Sequence, residues 1–301
     1  MTKPMGCFSL GLIFLMWSTL SCAATSPPVQ LTARQQLKQI RNYVLYYGSG
    51  RVTDLRRFET IVIEPRNYTA TQVTALKAPV NGKRPLLVGY LTCAEVLPND
   101  PILKQAFPQD YYRVNGVPVR IPGSNAYLMD LRQSHWRTLL INQMQKLISS
   151  GYDGVFLDTL NIGDEPPYAG TPTGEGFLQS AGFLTRDMRT RYPNNLILQN
   201  WGINRLKTFT AGYLDAICWE NFQVQYIETD AWSQARLAEL TALQGGGLSV
   251  MTLYQLTSAQ ITDTAYQSRM YQVSRSYNFL PYCALPGYSS GVNLLPLQNG
   301  F

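Results

Sequence analysis

The 301-residue sequence predicts a single (β/α)8 barrel, and three observations predict it. Eight short apolar runs read as strands buried on both faces. Most of the runs are separated by stretches with the 3.6-residue periodicity of amphipathic helices, an alternation that argues for parallel strands joined by crossover helices. Acidic residues recur where the runs stop, at the carboxyl ends where barrels of this kind carry their active sites.

The strand-like runs are 43–47, 60–63, 86–91, 155–157, 196–199, 216–219, 248–253 and 280–283. Helical periodicity covers 69–77, 134–149, 176–191, 230–243 and 258–277. Within 134–149 the apolar residues Trp136, Leu139, Leu140, Met144, Leu147 and Ile148 fall on one face, Ser134 offers an N-cap, and Gly151 offers a C-terminal cap. Asp153-Gly154 then turns the chain into Val155-Phe156-Leu157, with Asp158 at its end. Gly245-Gly246-Gly247 stops the fourth of these helices, and Ser258 is placed to cap the fifth. An open doubly wound sheet is the alternative architecture. No Gly-rich loop follows the first run, which argues against a nucleotide-binding version of it.

Two connections stand out. Residues 92–133 hold five prolines and the pair Tyr111-Tyr112, a length that calls for either a wall beside a cleft or a loop decorated with a small hairpin. Residues 161–176, with Asp164, Glu165, Pro166, Pro167 and Tyr168 among glycines, read as a mobile rim.

The start of the chain reads differently from the rest. Lys3, an apolar run over 8–16 and Ser21-Cys22-Ala23-Ala24 predict a signal peptide over 1–24, a mature domain over 25–301 and a secreted or periplasmic location. Lipid anchoring through Cys22 is the weaker alternative. Removing the leader takes one positive charge, Lys3, off the formal +6 and leaves +5, scattered along the chain. That pattern excludes a massed nucleic-acid-binding surface. Cys93, Cys218 and Cys283 remain after the leader and lie in apolar contexts without metal spacing, so they read as small buried hydrophobes. The one histidine, His135, cannot support a triad or a His-rich zinc site unaided. No cofactor is expected.

The acidic residues at strand ends are Glu64, Glu95, Asp158 and Glu220. Converging carboxylates without a metal signature suggest proton chemistry, and hydrolysis of a glycosidic bond needs two of them, with aromatic and amide groups to hold a sugar. Tyr90, Asn200, Trp201, Trp219 and Tyr254 supply that company. Each has a plainer reading. Glu64 and Glu95 could end strands in ion pairs, Asp130 could pair beside the long helix, and Trp201 and Trp219 could pack the rim. For Asp158 and Glu220, acids directly after doubly buried strands, function outweighs packing.

These residues resemble glycoside hydrolase family 114, the endo-α-1,4-polygalactosaminidase-like barrels. The matching pieces are Tyr46-Tyr47-Gly48, Val62-Ile63-Glu64-Pro65, Gly89-Tyr90-Leu91 with Glu95, Met129-Asp130-Leu131-Arg132, the run from Gly151 to Asp158, and Cys218-Trp219-Glu220-Asn221. The resemblance implies an exported enzyme that cleaves α-1,4-linked galactosamine-type exopolysaccharide with retention. Asp158 would be the nucleophile, Glu220 the acid/base, and Glu64, Tyr90, Glu95, Asn200, Trp201, Trp219 and Tyr254 the substrate-binding residues. The expected partner is a polysaccharide substrate, and the charge and hydropathy patterns above predict no nucleic acid, no stable membrane insertion after signal removal and a monomer. The alternative is a barrel of an exopolysaccharide or biofilm assembly that binds polysaccharide without cleaving it.

Overall fold

The structure is a computed structural model that describes residues 1–2 and 31–298. The leader expected over 1–24, Cys7 and Cys22 included, lies outside the described residues except for its first two. The compact unit that begins at Leu31 holds the whole sheet.

Eight parallel strands follow in chain order: β1 (Tyr43–Tyr46), β2 (Thr60–Ile63), β3 (Leu86–Thr92), β4 (Gly154–Asp158), β5 (Leu196–Asn200), β6 (Ala216–Glu220), β7 (Ser249–Gln255) and β8 (Leu280–Ala284). The Tyr43 ring of β1 lies 5.7 Å from Tyr282 of β8, so the sheet curls into a nearly closed (β/α)8 barrel. All eight strands match predicted runs to within two residues at either end.

Helices cover the barrel, and three of them refine the expected boundaries. Ser134–Ser149 follows β3 with the predicted buried face, but Gln133 precedes it and no side chain caps it, so Ser134 is not the N-cap. Its far end turns as expected, with Gly151 at φ +95°. Pro172–Arg191 starts earlier than 176, because Thr171 Oγ1 accepts the Gly174 N–H and Pro172 sits in the first turn, a strong start signal. Thr264–Ser276 starts later than Ser258. The Gln260 side chain accepts from Thr257 N–H and closes a separate turn, and Asp263, not Ser258, caps the helix by accepting Tyr266 N–H at 2.9 Å.

The long connection after β3 is a decorated loop. Glu95–Val96 pairs antiparallel with Tyr127–Leu128, and Arg113–Val114 with Val117–Pro118. Trp136 Nε1 donates to Cys93 O at 2.8 Å, and His135 Nδ1 lies 2.7 Å from buried Asp110, so the following helix clamps the loop to the barrel. The segment 161–176, expected to be a mobile rim, is tied at two points: Asp164 accepts Leu206 N–H at 2.9 Å, and Asn161 donates to Glu165 at 2.7 Å. Cys93, Cys218 and Cys283 are free thiols in the buried core.

At the amino end of the barrel, two aspartates bind strands laterally. Asp153, ahead of β4, accepts from Leu87 N–H and from Arg84. Asp215, ahead of β6 and 2 % exposed, accepts from Ile197 N–H at 2.9 Å, from Arg34 at 2.6 Å and from Arg189 at 2.5 Å. Removing a charge from a buried network strands its partners. Asp215→Ala is therefore expected to destabilise the fold by about 3 kcal/mol, the low end for a buried pair because Arg34 is half exposed. Urea unfolding of the two proteins checks this; a loss below about 0.5 kcal/mol would show that the arginines are satisfied without Asp215.

Candidate active site

Strand parity decides which side chains enter the barrel mouth, because successive residues of a strand point to opposite faces. Phe156, Leu198 and Cys218 share one apolar cluster with Tyr43, whose hydroxyl lies 4.0 Å from Cys218 Sγ. Their neighbours Val155, Leu157, Ile197, Ile217 and Trp219 belong to the other cluster, with Leu140, Met144 and Leu184 of the covering helices. Asp158, Asn200 and Glu220 stand two residues beyond Phe156, Leu198 and Cys218, so parity aims all three inward at the carboxyl end.

There they meet. The Asn200 amide nitrogen donates to Asp158 Oδ1 at 2.9 Å and to Glu220 Oε2 at 2.7 Å. Tyr90 donates its hydroxyl to Asp158 Oδ2 at 2.7 Å, and Tyr288 donates to Glu220 Oε1. Both oxygens of each carboxylate thus have a donor. The Tyr47 ring packs on Tyr90 and Tyr288 at 4.8 and 5.6 Å. Burial, then the Asp158 charge, raises the Tyr90 phenol; burial, then Glu220, raises that of Tyr288. Burial and Asp158 raise Tyr47 as well. All three tyrosines stay neutral at ordinary pH and can only donate toward the carboxylates.

The backbone turns sharply just after these residues. Thr159, Trp201 and Asn221, which follow Asp158, Asn200 and Glu220, have φ of +61°, +52° and +57°, and Tyr288 has +56°. Non-glycine residues adopt this left-handed region rarely, and a β-branched threonine least readily. Thr159 is held there by its hydroxyl, which donates to Asp158 O at 2.7 Å and accepts the N–H groups of Ala94 at 2.9 Å and of Cys93 and Glu95 at 3.2 Å. Thr92 Oγ1 donates to Glu95 O at 2.6 Å. The two threonines fix the backbone of Glu95 beside Asp158. Burial first, then the charges of Asp158 and Glu165, push the Glu95 carboxyl above its ordinary range.

The other expected site residues are placed differently. Glu64 is bound by Arg66 through both oxygens, at 2.8 and 2.9 Å, and Arg66 continues to Asp100, so Glu64 serves an ion-pair network. Trp219 is 2 % exposed and packs edge-on against Phe222 and Trp232. Tyr254 is buried against Tyr266 and donates to Gln260. Both stand off parity, one residue from an inward neighbour, which turns them into the layer of helices and gives them packing roles. Trp201 is half-buried, 6.4 Å from the exposed Trp232 ring. Asp130 pairs with Arg132 through both oxygens, as its position beside the long helix suggested. Sequence reasoning missed Tyr288, Tyr47, Thr159 and Glu165. Only Tyr47 carried a signal, its place directly beyond β1. Among the described residues, no group of three or more His, Cys, Asp or Glu side chains is arranged to hold a metal ion.

No protein-family model matches the sequence, and no curated protein matches it. Solved structures do match the fold. The glycoside hydrolase domain of PelA from Pseudomonas aeruginosa aligns with a TM-score of 0.67 at 18% identity, covering 84% of this chain and 98% of that one. Aspergillus fumigatus Ega3, solved in complex with galactosamine, aligns with a TM-score of 0.59 at 12% identity, covering 89% and 98%. The α-galactosidase TtGalA from Thermus thermophilus, in complex with p-nitrophenyl α-D-galactopyranoside, aligns at 0.55 and 15% identity, covering 87% and 60%. These likenesses establish the barrel as a fold that glycoside hydrolases use.

Two outcomes test the site. Thr159→Val keeps the shape but removes the side-chain acceptor of the Ala94 and Glu95 N–H groups, Cys93 N–H keeping Asp158 O at 2.9 Å, and is expected to cost about 1–3 kcal/mol of stability, while Thr159→Ser stays near the wild type; denaturant titration of both reads this. Glu95 has a folded-state pKa above its unfolded one, so the native state binds the proton more tightly, and stability falls as pH rises from the unfolded pKa through the folded one. Glu95→Gln should therefore melt higher than the wild type at pH 7 and lose this advantage below pH ~4. Equal melting temperatures at pH 7 would show that Glu95 is not strained by its neighbours.

Proposed function

We propose that this chain is a retaining glycoside hydrolase of the family 114 type, exported by its leader and acting on α-1,4-linked galactosamine-type exopolysaccharide. One observation carries the reading: a single amide nitrogen donates to both Asp158 and Glu220. The two accepting oxygens can be no farther apart than those bonds laid end to end, a closeness that favours the ~5–5.5 Å carboxyl separation of retaining sites over the ~6.5–9.5 Å of inverting ones.

Asp158 attacks the anomeric carbon while Glu220 gives a proton to the departing oxygen, and the C1–O bond breaks as the Asp158 ester forms. Water then replaces the leaving sugar. Glu220 takes its proton, the hydroxide adds to C1, and the ester bond to Asp158 breaks. Tyr90, Tyr288 and Asn200 orient the two carboxylates before substrate arrives, so little reorganisation accompanies the chemistry.

Charge favours a cationic sugar. Glu95 feels the charges of both Asp158 and Glu165, and among the described residues no lysine or arginine forms an ion pair with Asp158, Glu220, Glu95 or Glu165. An ammonium group on the substrate would relieve that surplus, and galactosamine is the sugar bound in the Ega3 complex.

Reducing ends released from polygalactosamine test the activity. Asp158→Asn should lower kcat at least ~10³-fold, and azide should partly restore Glu220→Ala on a substrate with a good leaving group. Proton NMR of fresh product should show the α-anomer first. A β-anomer would mean that Asp158 works through water, and binding without release of reducing ends would identify a barrel that holds polysaccharide and does not cleave it.

A further inference from the structure

A second cavity, of about 220 Å³, opens on the flank of the barrel beside β3. It adjoins the carboxylate pair across Tyr90, which lines it while donating to Asp158. Its size falls below the ~300–1,000 Å³ of pockets that enclose a drug-sized ligand and suits one sugar ring. Pro65, Ile102 and Leu147 form apolar wall, and Gly89 lets two of these walls meet, since a Cβ there would stand 3.0 Å from Leu147 and 3.1 Å from Pro65.

The polar groups on this lining divide into used and free. Glu64 and Asp100 are already neutralised by Arg66. The side-chain amides of Gln105 and Gln143 make no hydrogen bond among the described residues, and the Lys146 ammonium forms no ion pair there. This is the reverse of the barrel mouth. An ammonium group would find its two nearest carboxylates occupied and a lysine opposing it, whereas an acetamido group would place its methyl against Pro65, Ile102 and Leu147 and its C=O and N–H on the free amides.

We infer that this flank cavity is a subsite for an N-acetylated hexosamine, set beside a reaction centre that takes the free amine. The inference rests on the proposed glycosidase reading for the polymer and on the cavity alone for the ligand. A chain carrying both kinds of residue would then be gripped in one register, with the acetylated unit on the flank and the charged unit at Asp158.

Saturation-transfer NMR on the full chain with methyl N-acetyl-α-galactosaminide and with methyl α-galactosaminide tests it. Transfer to the acetyl methyl is expected in the wild type and in Asp158→Asn, and is expected to be lost in Ile102→Trp, which fills the cavity. Gln143→Ala, a half-exposed helix position, keeps the comparison if Ile102→Trp does not fold, and should weaken acetylated-sugar binding about tenfold. Absence of transfer, equal binding of both sugars, or loss in Asp158→Asn with retention in the cavity variants overturns the inference. Hydrolysis is read separately: in Gln143→Ala the KM for partly acetylated oligomers, relative to fully deacetylated ones, should rise about tenfold. No hydrolysis of either oligomer, with acetyl transfer intact, would sink the glycosidase reading and leave the cavity assignment standing.

Discussion

The donation of one amide nitrogen to two carboxylates is the constraint on which the mouth of this barrel depends. Asp158 and Glu220 sit on strands separated by β5, and two carboxyl groups drawn so close need a donor between them. Asn200, at the end of that middle strand, supplies two N–H groups in a fixed fork, so both acids are satisfied by one neutral group. A lysine in its place would neutralise one of them and an alanine would leave them opposed. The tyrosines on either side complete the arrangement by binding the remaining oxygens, and as half-buried, neutral phenols they add hydrogen bonds without adding charge.

The left-handed residues beyond β4, β5 and β6 belong to the same design. A strand that simply continued would carry its chain up into solvent and let the terminal side chain swing. Turning the backbone one residue later ends the strand abruptly and leaves the last inward side chain at the rim of a rigid ladder. At β4 the turn is held by the Thr159 hydroxyl, which also gathers the first residues of the long loop after β3. Strain at one position thereby orders a segment more than sixty residues away in sequence.

Much of this was legible in the sequence, and the reason it was legible also limits what could be read. Strands covered on both faces are apolar throughout, so their positions and ends stand out, and Asp158, Asn200 and Glu220 could be picked as strand-end residues. The same uniformity hides which face is which, because Val155-Phe156-Leu157 or Ile217-Cys218-Trp219 shows no alternation to mark the interior. Trp219 and Tyr254 were one residue out of phase, and only the packing shows it. Glu64 was ambiguous between a sugar contact and an ion pair until its bonds to Arg66 were seen. Tyr288 had no local mark, since its role comes from meeting Glu220 across the mouth from the turn after β8.

Asp153 and Asp215 stand five residues before Asp158 and Glu220, so β4 and β6 each carry an acid at either end. The lower pair ties backbone amides and arginines into the floor; the upper pair faces the open cleft. The two ends of each strand are thereby set apart, with cohesion at one pole and the candidate site at the other. Such polarity lets a rim residue be replaced without loosening the floor, because the two acids of a strand share no hydrogen-bond partner.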